Sequence, residues 1–202
     1  MRVIGKGMVT AMLALLATGC SSTTATRKQA SLASSQVVQL VNQIVQSAVV
    51  ALGNLQPVGG TVASGFVAPR AMRGPVTFQV STAFSCEQGG EIQVSGTVAG
   101  NVDDATGTGT LTVDATETLA SFHRTIEGTE MIVDGALQLT GNFVVLSGTP
   151  ATSQSAALEG ELAISAAPSG SGACSINLSF NFSTETAVAT VTGTACGYTI
   201  VL

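Results

Sequence analysis

Apolar and polar residues alternate along the chain from Val76 to its end, and short turns rich in Gly, Thr and Pro separate the alternating runs. A period of two is typical of β-strands that bury one face and expose the other. The short turns favour antiparallel pairing, and the runs predict about eight strands. We therefore expect a mainly β domain over 76–202: an antiparallel up-and-down sheet, curled into a half-barrel or barrel with its apolar face inside.

A helical period precedes this domain. Val37, Val41, Ile44 and Ala48 recur at steps of three and four residues. This spacing predicts an amphipathic helix over 35–53 that packs on the apolar face of the sheet. Its opposite, polar face is predicted from four glutamines: Gln36, Gln39, Gln43 and Gln46. A helix that lies on a membrane or pairs with a copy of itself is the alternative, although the polar face has no Lys or Arg.

Composition changes at both ends of the predicted helix. Residues 20–34 are small and polar and predict a flexible tether, and residues 54–75 are rich in Gly and Pro and predict a linker. Only 9% of the chain is charged, and all twelve acidic residues follow Pro75, where Arg124 is the one basic residue. Such a hydrophobic, weakly charged chain is not disordered. The shortage of basic residues excludes nucleic-acid binding.

The first residues combine a basic start with an apolar run. Arg2 and Lys6 precede twelve apolar or small residues over 8–19. As a helix this run spans roughly 18 Å, well short of the roughly 30 Å of a bilayer core. It therefore predicts a signal peptide over 1–19.

The run ends in Leu16-Ala17-Thr18-Gly19-Cys20. This ending resembles the cleavage site of bacterial lipoprotein precursors, although Ala17 stands where that family usually has Leu. The resemblance covers residues 1–20. It implies that Cys20 becomes a lipidated N-terminus carrying acyl chains such as palmitate, which hold the protein on a membrane. Ser21 after the cysteine implies the outer membrane, facing the periplasm or the cell surface.

Three cysteines remain beside Cys20, and disulfides persist outside the cytoplasm. A two-residue turn at Thr184-Glu185 would place Phe180 opposite Ala189. In that register, one bulged residue near Gly193 brings Cys196 opposite Cys174, which predicts a disulfide between them. Pairs of Cys86 with Cys174 or with Cys196 stay open. The unpaired thiol has nothing basic beside it in sequence and is expected to be inert.

His123 is the single histidine. A four-residue turn over 127–130 would place it across from Asp134, as in the base and orienting acid of a hydrolytic site. No G-x-S-x-G elbow accompanies the pair, so we interpret it as a structural contact. Calcium is the one metal with candidate oxygen ligands, which lie in the turn 101–107. Their spacing does not match an EF-hand. We expect no metal, no cofactor and no catalytic residue.

These features lead to two functional hypotheses for a membrane-anchored, non-enzymatic envelope lipoprotein. In the first, the curled sheet holds an apolar small molecule such as a lipid, because its inward residues are small and few are aromatic. In the second, the protein is a structural or interaction lipoprotein that docks another envelope protein through its polar sheet face or its acidic loops. A large apolar cavity favours the first hypothesis, and a filled interior favours the second.

Overall fold

The computed structural model describes residues 28–57, 74–103, 105–146, 149–168, 170–183 and 188–202. The described elements are α1 (Ser34–Gly53), β1 (Gln56–Pro57), β2 (Gly74–Ser85), β3 (Glu91–Val102), β4 (Gly109–Ile126), β5 (Thr129–Leu146), β6 (Thr149–Ala167), β7 (Gly170–Ser183), β8 (Val188–Ala195) and β9 (Tyr198–Val201). The strands form one antiparallel sheet in sequence order, with β1 and β9 at its edges. The predicted up-and-down sheet is confirmed, and it does not close into a barrel.

The two faces of the sheet separate apolar from polar residues. The inward side chains of β5 include Met131, Val133, Leu137 and Leu139, each at most 1% exposed. The residues between them are mostly exposed. Alternation of this kind gives one buried and one solvated face, as predicted from the period of two.

Helix α1 covers the inward face. Val37, Val41, Ile44 and Ala48 have no exposed area. The helix contacts β2, β3 and β4 on one side and β9 on the other, so it lies inside the curl of the sheet. Among the described residues, α1 is the one helix long and apolar enough to cross a membrane, but 56% of its most apolar window is buried inside the protein. The predicted packing of the helix on the sheet is confirmed.

A glycine on the inward face allows two strands to approach closely. Gly96 of β3 pairs with Ala115 of β4, and a Cβ atom on Gly96 would overlap the backbone of its partner strand. Close approach of two backbones at such a point is a common use of glycine in a strand.

The segment before α1 is fixed to the sheet. The amide of Ala30 donates to the carbonyl of Ala173 in β7, and the amide of Ala173 donates to the carbonyl of Lys28, both at 2.9 Å. Tyr198 Oη donates to the carbonyl of Leu32 at 2.8 Å. Residues 28–33 fall in the predicted tether 20–34, and within them these hydrogen bonds join Lys28 and Ala30 to β7 and Leu32 to β9. Residues 20–27 lie outside the described residues, as do 58–73 of the predicted linker.

Two hairpins differ in register from the prediction. Glu127 and Gly128 form a two-residue turn with φ of 52° and 76°, a conformation that suits a tight hairpin and favours Gly at its second position. Ile126 therefore pairs with Thr129, and the predicted turn over 127–130 is wrong.

In the second hairpin, Phe180 lies opposite Val191 instead of Ala189. The proposed turn residues Thr184 and Glu185 lie outside the described part of the chain. No bulge occurs at Gly193, which pairs in continuous register with Leu178. Strand β8 instead ends at Ala195, and Cys196 follows it with a φ of 47°.

Candidate functional site

The most unusual side chain of the described structure is a glutamate in the core. Strand β4 directs Leu111, Val113, Ala115, Glu117 and Leu119 inward, because they occupy alternate positions. Glu117 has no exposed area. Its neighbours in register are Val94 of β3 and Leu137 of β5. A carboxyl group therefore lies on an apolar face, beneath α1.

Ser47 of α1 is the hydrogen-bond partner of this carboxyl. Its Oγ lies 2.6 Å from Glu117 Oε1, 2.8 Å from the carbonyl of Ile44 and 3.1 Å from the carbonyl of Gln43. Glu117 Oε2 is buried without a hydrogen-bond partner. One hydroxyl hydrogen cannot serve three acceptors. The donation from Ser47 to Glu117 Oε1 therefore leaves the carboxyl with one donor for its two oxygens.

Burial decides the ionisation of Glu117. It raises the pKa of this carboxyl from 4.5 to about 8, and the hydrogen bond from Ser47 opposes the rise. Removing a carboxylate from water is costly unless a cation or several donors replace the water. At neutral pH the group is therefore neutral, and it can donate a hydrogen bond.

Four polar contacts join α1 to β4 and the turn after it, and we call them the polar seam. Ser35 Oγ donates to Glu127 Oε2 at 2.7 Å, and Gln39 Nε2 donates to Glu127 Oε1 at 3.2 Å. Arg124 Nε and Nη2 donate to the side-chain oxygen of Gln43, both at 2.7 Å, in the amide orientation that pairs donors with acceptors. The Ser47–Glu117 contact completes the seam and is its most buried part.

The predicted polar face of the helix is partly confirmed. Gln39 and Gln46 are exposed and Gln43 is half-buried. Gln36 is only 7% exposed, so its placement on the solvated face is wrong. Its Nε2 donates to Thr129 Oγ1 at 2.7 Å, and its Oε1 accepts from the amide of Ala33 at 2.9 Å, which caps the helix start. These two partners allow the amide to be buried.

His123 does not contact Asp134, so the predicted pair is wrong. Its Nε2 lies 2.9 Å from Glu130 Oε1, and its Nδ1 lies 3.0 Å from the carbonyl of Gln88. Ser165 and Ser171 line the same shallow cavity of about 340 Å³. Both ring nitrogens face acceptors, so neither is placed to take a proton from a serine. The cluster is a structural contact at the outer surface.

A β-bulge explains the displacement of Asp134. The register of β4 and β5 shifts between Leu119 and Phe122, and Ser121 has a φ of 48°. Asp134 Oδ1 accepts from the freed amide of Ser121 at 2.6 Å. The aspartate therefore stabilises the bulge.

Cys174 and Cys196 form a disulfide, with Cα atoms 4.2 Å apart, which confirms that pairing over the two alternatives with Cys86. Cys86 is free and half-buried. Burial raises the pKa of its thiol, and the charge of Arg124 opposes this rise. The expectation that nothing basic lies near the free thiol is wrong. Cys86 lies in the turn between β2 and β3, which contacts the end of β4 that carries Arg124, where the amide of His123 donates to the carbonyl of Gly89. Cys20 lies outside the described residues.

In the candidate calcium turn, donors from the turn itself bind the carboxylate of Asp103. Asp103 Oδ1 accepts from the amides of Ala105 and Thr106 at 3.0 and 2.7 Å and from Thr106 Oγ1 at 2.8 Å. The hydrogen bonds from Thr106, and then that from Ala105, lower the pKa of Asp103. Asp104 lies outside the described residues. In the described ranges, no three His, Cys, Asp or Glu side chains are placed to hold a metal ion.

The outward face of the sheet carries an open groove. It crosses β4 to β7 and has a volume of about 700 Å³. Polar groups of Thr112, Asp114, Thr140, Asn142 and Asn181 line it together with a larger apolar surface that includes Ala157. Gln138 Nε2 donates to Asp114 Oδ1 at 2.6 Å beside it. We call this feature the outer groove.

The strands around the outer groove are acidic. Their exposed outward carboxylates are Glu91, Asp114, Glu130, Asp134, Glu159 and Glu161. Within the described parts of β2 to β9, no Lys or Arg accompanies them on this face, because Arg124 points towards α1. The outward face therefore attracts cations and basic surfaces.

Sequence reasoning missed Glu117, although a signal was present. Leu111, Val113, Ala115, Glu117 and Leu119 are alternate residues, so any strand that buries the four apolar members also buries the glutamate. The residues that contact it from α1 are far away in sequence and carry no such signal.

Comparison with protein-family models, curated proteins and solved structures finds no match to this chain.

Proposed function

We propose that this chain is a non-enzymatic lipoprotein of the bacterial cell envelope, anchored by lipid at Cys20, and that the outward face of its sheet binds another envelope component. The basic start, the apolar run over 8–19 and the Cys20 ending support the anchor and a place at the outer membrane. The Gln88 carbonyl and the Glu130 carboxylate, which flank the two ring nitrogens of His123, support a structural role for this histidine.

The observation that carries the choice of surface is the filled interior. Residues of α1 occupy the space inside the curled sheet, and Val37, Val41, Ile44 and Ala48 are fully buried there. A ligand inside the sheet would have to displace the protein's own helix. The outer groove needs no such rearrangement.

The chemistry of the outward face indicates the partner. Hydroxyl and amide groups and the carboxylate of Asp114 contribute to the lining of the outer groove, and five more exposed carboxylates lie elsewhere on the outward side of the strands. Such a surface suits a basic protein segment that donates hydrogen bonds, and its binding weakens as salt screens the charges. We therefore infer a basic envelope protein as the partner.

Metabolic labelling tests the anchor. The chain is expressed in a bacterium supplied with an alkyne analogue of palmitate, and incorporation into the protein is measured. Wild type and Cys86→Ser are expected to incorporate the label, and Cys20→Ser is expected to lose it. Label in Cys20→Ser, or none in the wild type, contradicts the anchor.

Site-specific photocrosslinking tests the surface. A photoreactive residue replaces Asn142 in the outer groove or, as the control, Gln93, an exposed outward residue of β3 outside the groove. We expect the Asn142 site to capture one protein, identified by mass spectrometry as basic, and Asp114→Arg to abolish the capture. Equal capture from both positions, or an acidic partner, contradicts the proposed interface.

A carrier of apolar molecules is the second candidate, and one observation favours it. Helix α1 packs against β2, β3, β4 and β9, so its movement would uncover apolar surface on the inward face. Native mass spectrometry of the Cys20→Ser chain, purified without detergent, separates the two functions. A co-purifying lipid supports the carrier, and the bare chain supports the interaction module.

A further inference from the structure

We propose that Glu117 is a proton-controlled latch for α1: the second half of the helix stays on the sheet while this carboxyl is neutral and leaves the sheet when it ionises. The inference is independent of the envelope function. It starts from the position of one acidic side chain between the only described helix and the sheet.

The contacts of Glu117 suit only its neutral form. A carboxylate has about four lone-pair positions to satisfy, and Ser47 supplies one hydroxyl. Oε2 has no partner, and Val94 and Leu137 are the residues beside Glu117 in register. An ionised Glu117 could regain donors only from water, and α1 stands between it and solvent.

The second half of α1 depends on this contact. From Ser47 to Gly53, the helix makes one described hydrogen bond to the sheet, from Ser47 to Glu117. Its first half is held by more: Gln36 binds Thr129, Gln39 binds Glu127, and Gln43 binds Arg124. Opening is therefore expected to begin at Ser47 and leave the first half in place.

Other charged groups do not replace Glu117 in this role. Helix α1 contains no Asp, Glu, Lys, Arg or His, so nothing on it titrates against the carboxyl. Arg124 contacts Gln43, one turn of the helix before Ser47. Glu127 contacts Gln39 and Ser35, two or more turns before it. Tyr198 contacts the carbonyl of Leu32, before the helix begins.

The direction of the pH effect follows from the two states. While α1 lies on the sheet, the pKa of Glu117 is about 8. Once the helix has left the sheet, the pKa of this carboxyl returns to its ordinary value of 4.5. Because the closed state has the higher pKa, protonation of Glu117 stabilises it relative to the open state. This stabilisation is fully present below pH 4.5 and is lost as the pH rises towards 8. The opening constant is expected to rise about tenfold per pH unit in this window and to level off above it.

Opening would convert a buried surface into a binding surface. The residues that flank Glu117 in register, Val94 and Leu137, are apolar and have no exposed area. An exposed apolar patch of this kind takes an apolar ligand or the apolar face of another helix. The latch would then couple a rise in pH to binding at the inward face.

Hydrogen exchange of the full chain, followed by mass spectrometry from pH 5 to 9 and corrected for the intrinsic rate, tests the latch. In the wild type, protection of residues 47–52 is expected to fall about tenfold per pH unit up to about pH 8, while β5 stays protected. Glu117→Gln is expected to remove this slope. Glu159→Gln, which removes an exposed carboxylate on the outward face, is expected to keep it.

Three results would overturn the proposal: protection of 47–52 independent of pH in the wild type, an unchanged slope in Glu117→Gln, or an equal fall in β5, which would mean unfolding of the whole domain. Should Glu117→Gln not fold, Glu117→Leu removes the same ionisation and carries the same expectation. Ser47→Ala leaves the carboxyl in place, so it is expected to raise opening at every pH without changing the slope.

Discussion

The outward and inward faces of the same sheet treat acidic residues in opposite ways. Outside, six carboxylates are exposed, and polar neighbours contact several of them, such as Gln138 beside Asp114 and His123 beside Glu130. Inside, Glu117 is the one described acidic residue, fully buried with a single donor beside it. Both sets come from the same alternation of strand positions. The comparison teaches that the face on which a residue falls, and not its type, decides whether a carboxyl is a surface charge or an ionisable group held neutral.

Adjacent residues of β5 give the largest expected contrast between the faces. Leu139 is fully buried, and Thr140 next to it is exposed. Leu139→Ala is expected to lower the free energy of unfolding by about 4 kcal/mol, through lost burial and a cavity. Thr140→Ala is expected to change it by less than about 0.5 kcal/mol. Denaturant unfolding measures both, and equal losses would contradict the assignment of the faces.

The cysteines extend the contrast to covalent bonds. The Cys174–Cys196 disulfide lies on the inward side and closes 22 residues. Replacing both cysteines by Ala is expected to cost about 3 kcal/mol, mainly because the unfolded chain regains freedom. Cys86→Ala is the matched control, since its thiol is free. A larger loss in the control than in the double variant would contradict this account.

Acid titration sharpens the comparison between carboxylates. The free energy of unfolding of the wild type, relative to Glu117→Gln, is expected to fall by about 3 kcal/mol from pH 4.5 to pH 7. The sign follows from the raised pKa of Glu117, because the unfolded chain releases the proton first as the pH rises. The same comparison with Glu159→Gln is expected to give no such fall. Unfolding curves at four pH values would measure both differences.

The exposed His123–Glu130 contact gives the smallest expected effect. The side chain of Glu130 is 61% exposed, and solvent-exposed ion pairs contribute little. Glu130→Gln is expected to change the free energy of unfolding by less than about 1 kcal/mol. A loss as large as that of Leu139→Ala would show that the outward face contains a buried network.

The fold could be predicted because burial repeats along the chain. The alternation around Phe78, Leu139 and Phe180 indicates strands, and the helical spacing of Val37 and Ile44 indicates α1. The register of two hairpins could not be predicted. The bulge at Ser121 and the turn at Glu127 depend on local backbone geometry and on the distant cap from Asp134. Such choices shift strand partners without changing the apolar pattern.

The site was harder to predict than the fold. The disulfide was predicted correctly, although the register and the bulge near Gly193 from which it was predicted do not occur. His123 received attention because its residue type is reactive, although its surroundings make it structural. Glu117 was overlooked because its chemistry arises from burial under Ser47, a contact between elements 70 residues apart. In such cases the sequence signal is a polar residue at an inward position of an otherwise apolar alternation.

Titration of Glu117 by carboxyl carbon NMR, with Glu117→Gln to assign the resonance, tests the central claim most directly. The account predicts a midpoint at about pH 8 for this carboxyl in the folded protein. A midpoint at about pH 4.5, the ordinary value for glutamate, would show that the carboxyl reaches water and would contradict its burial beneath α1.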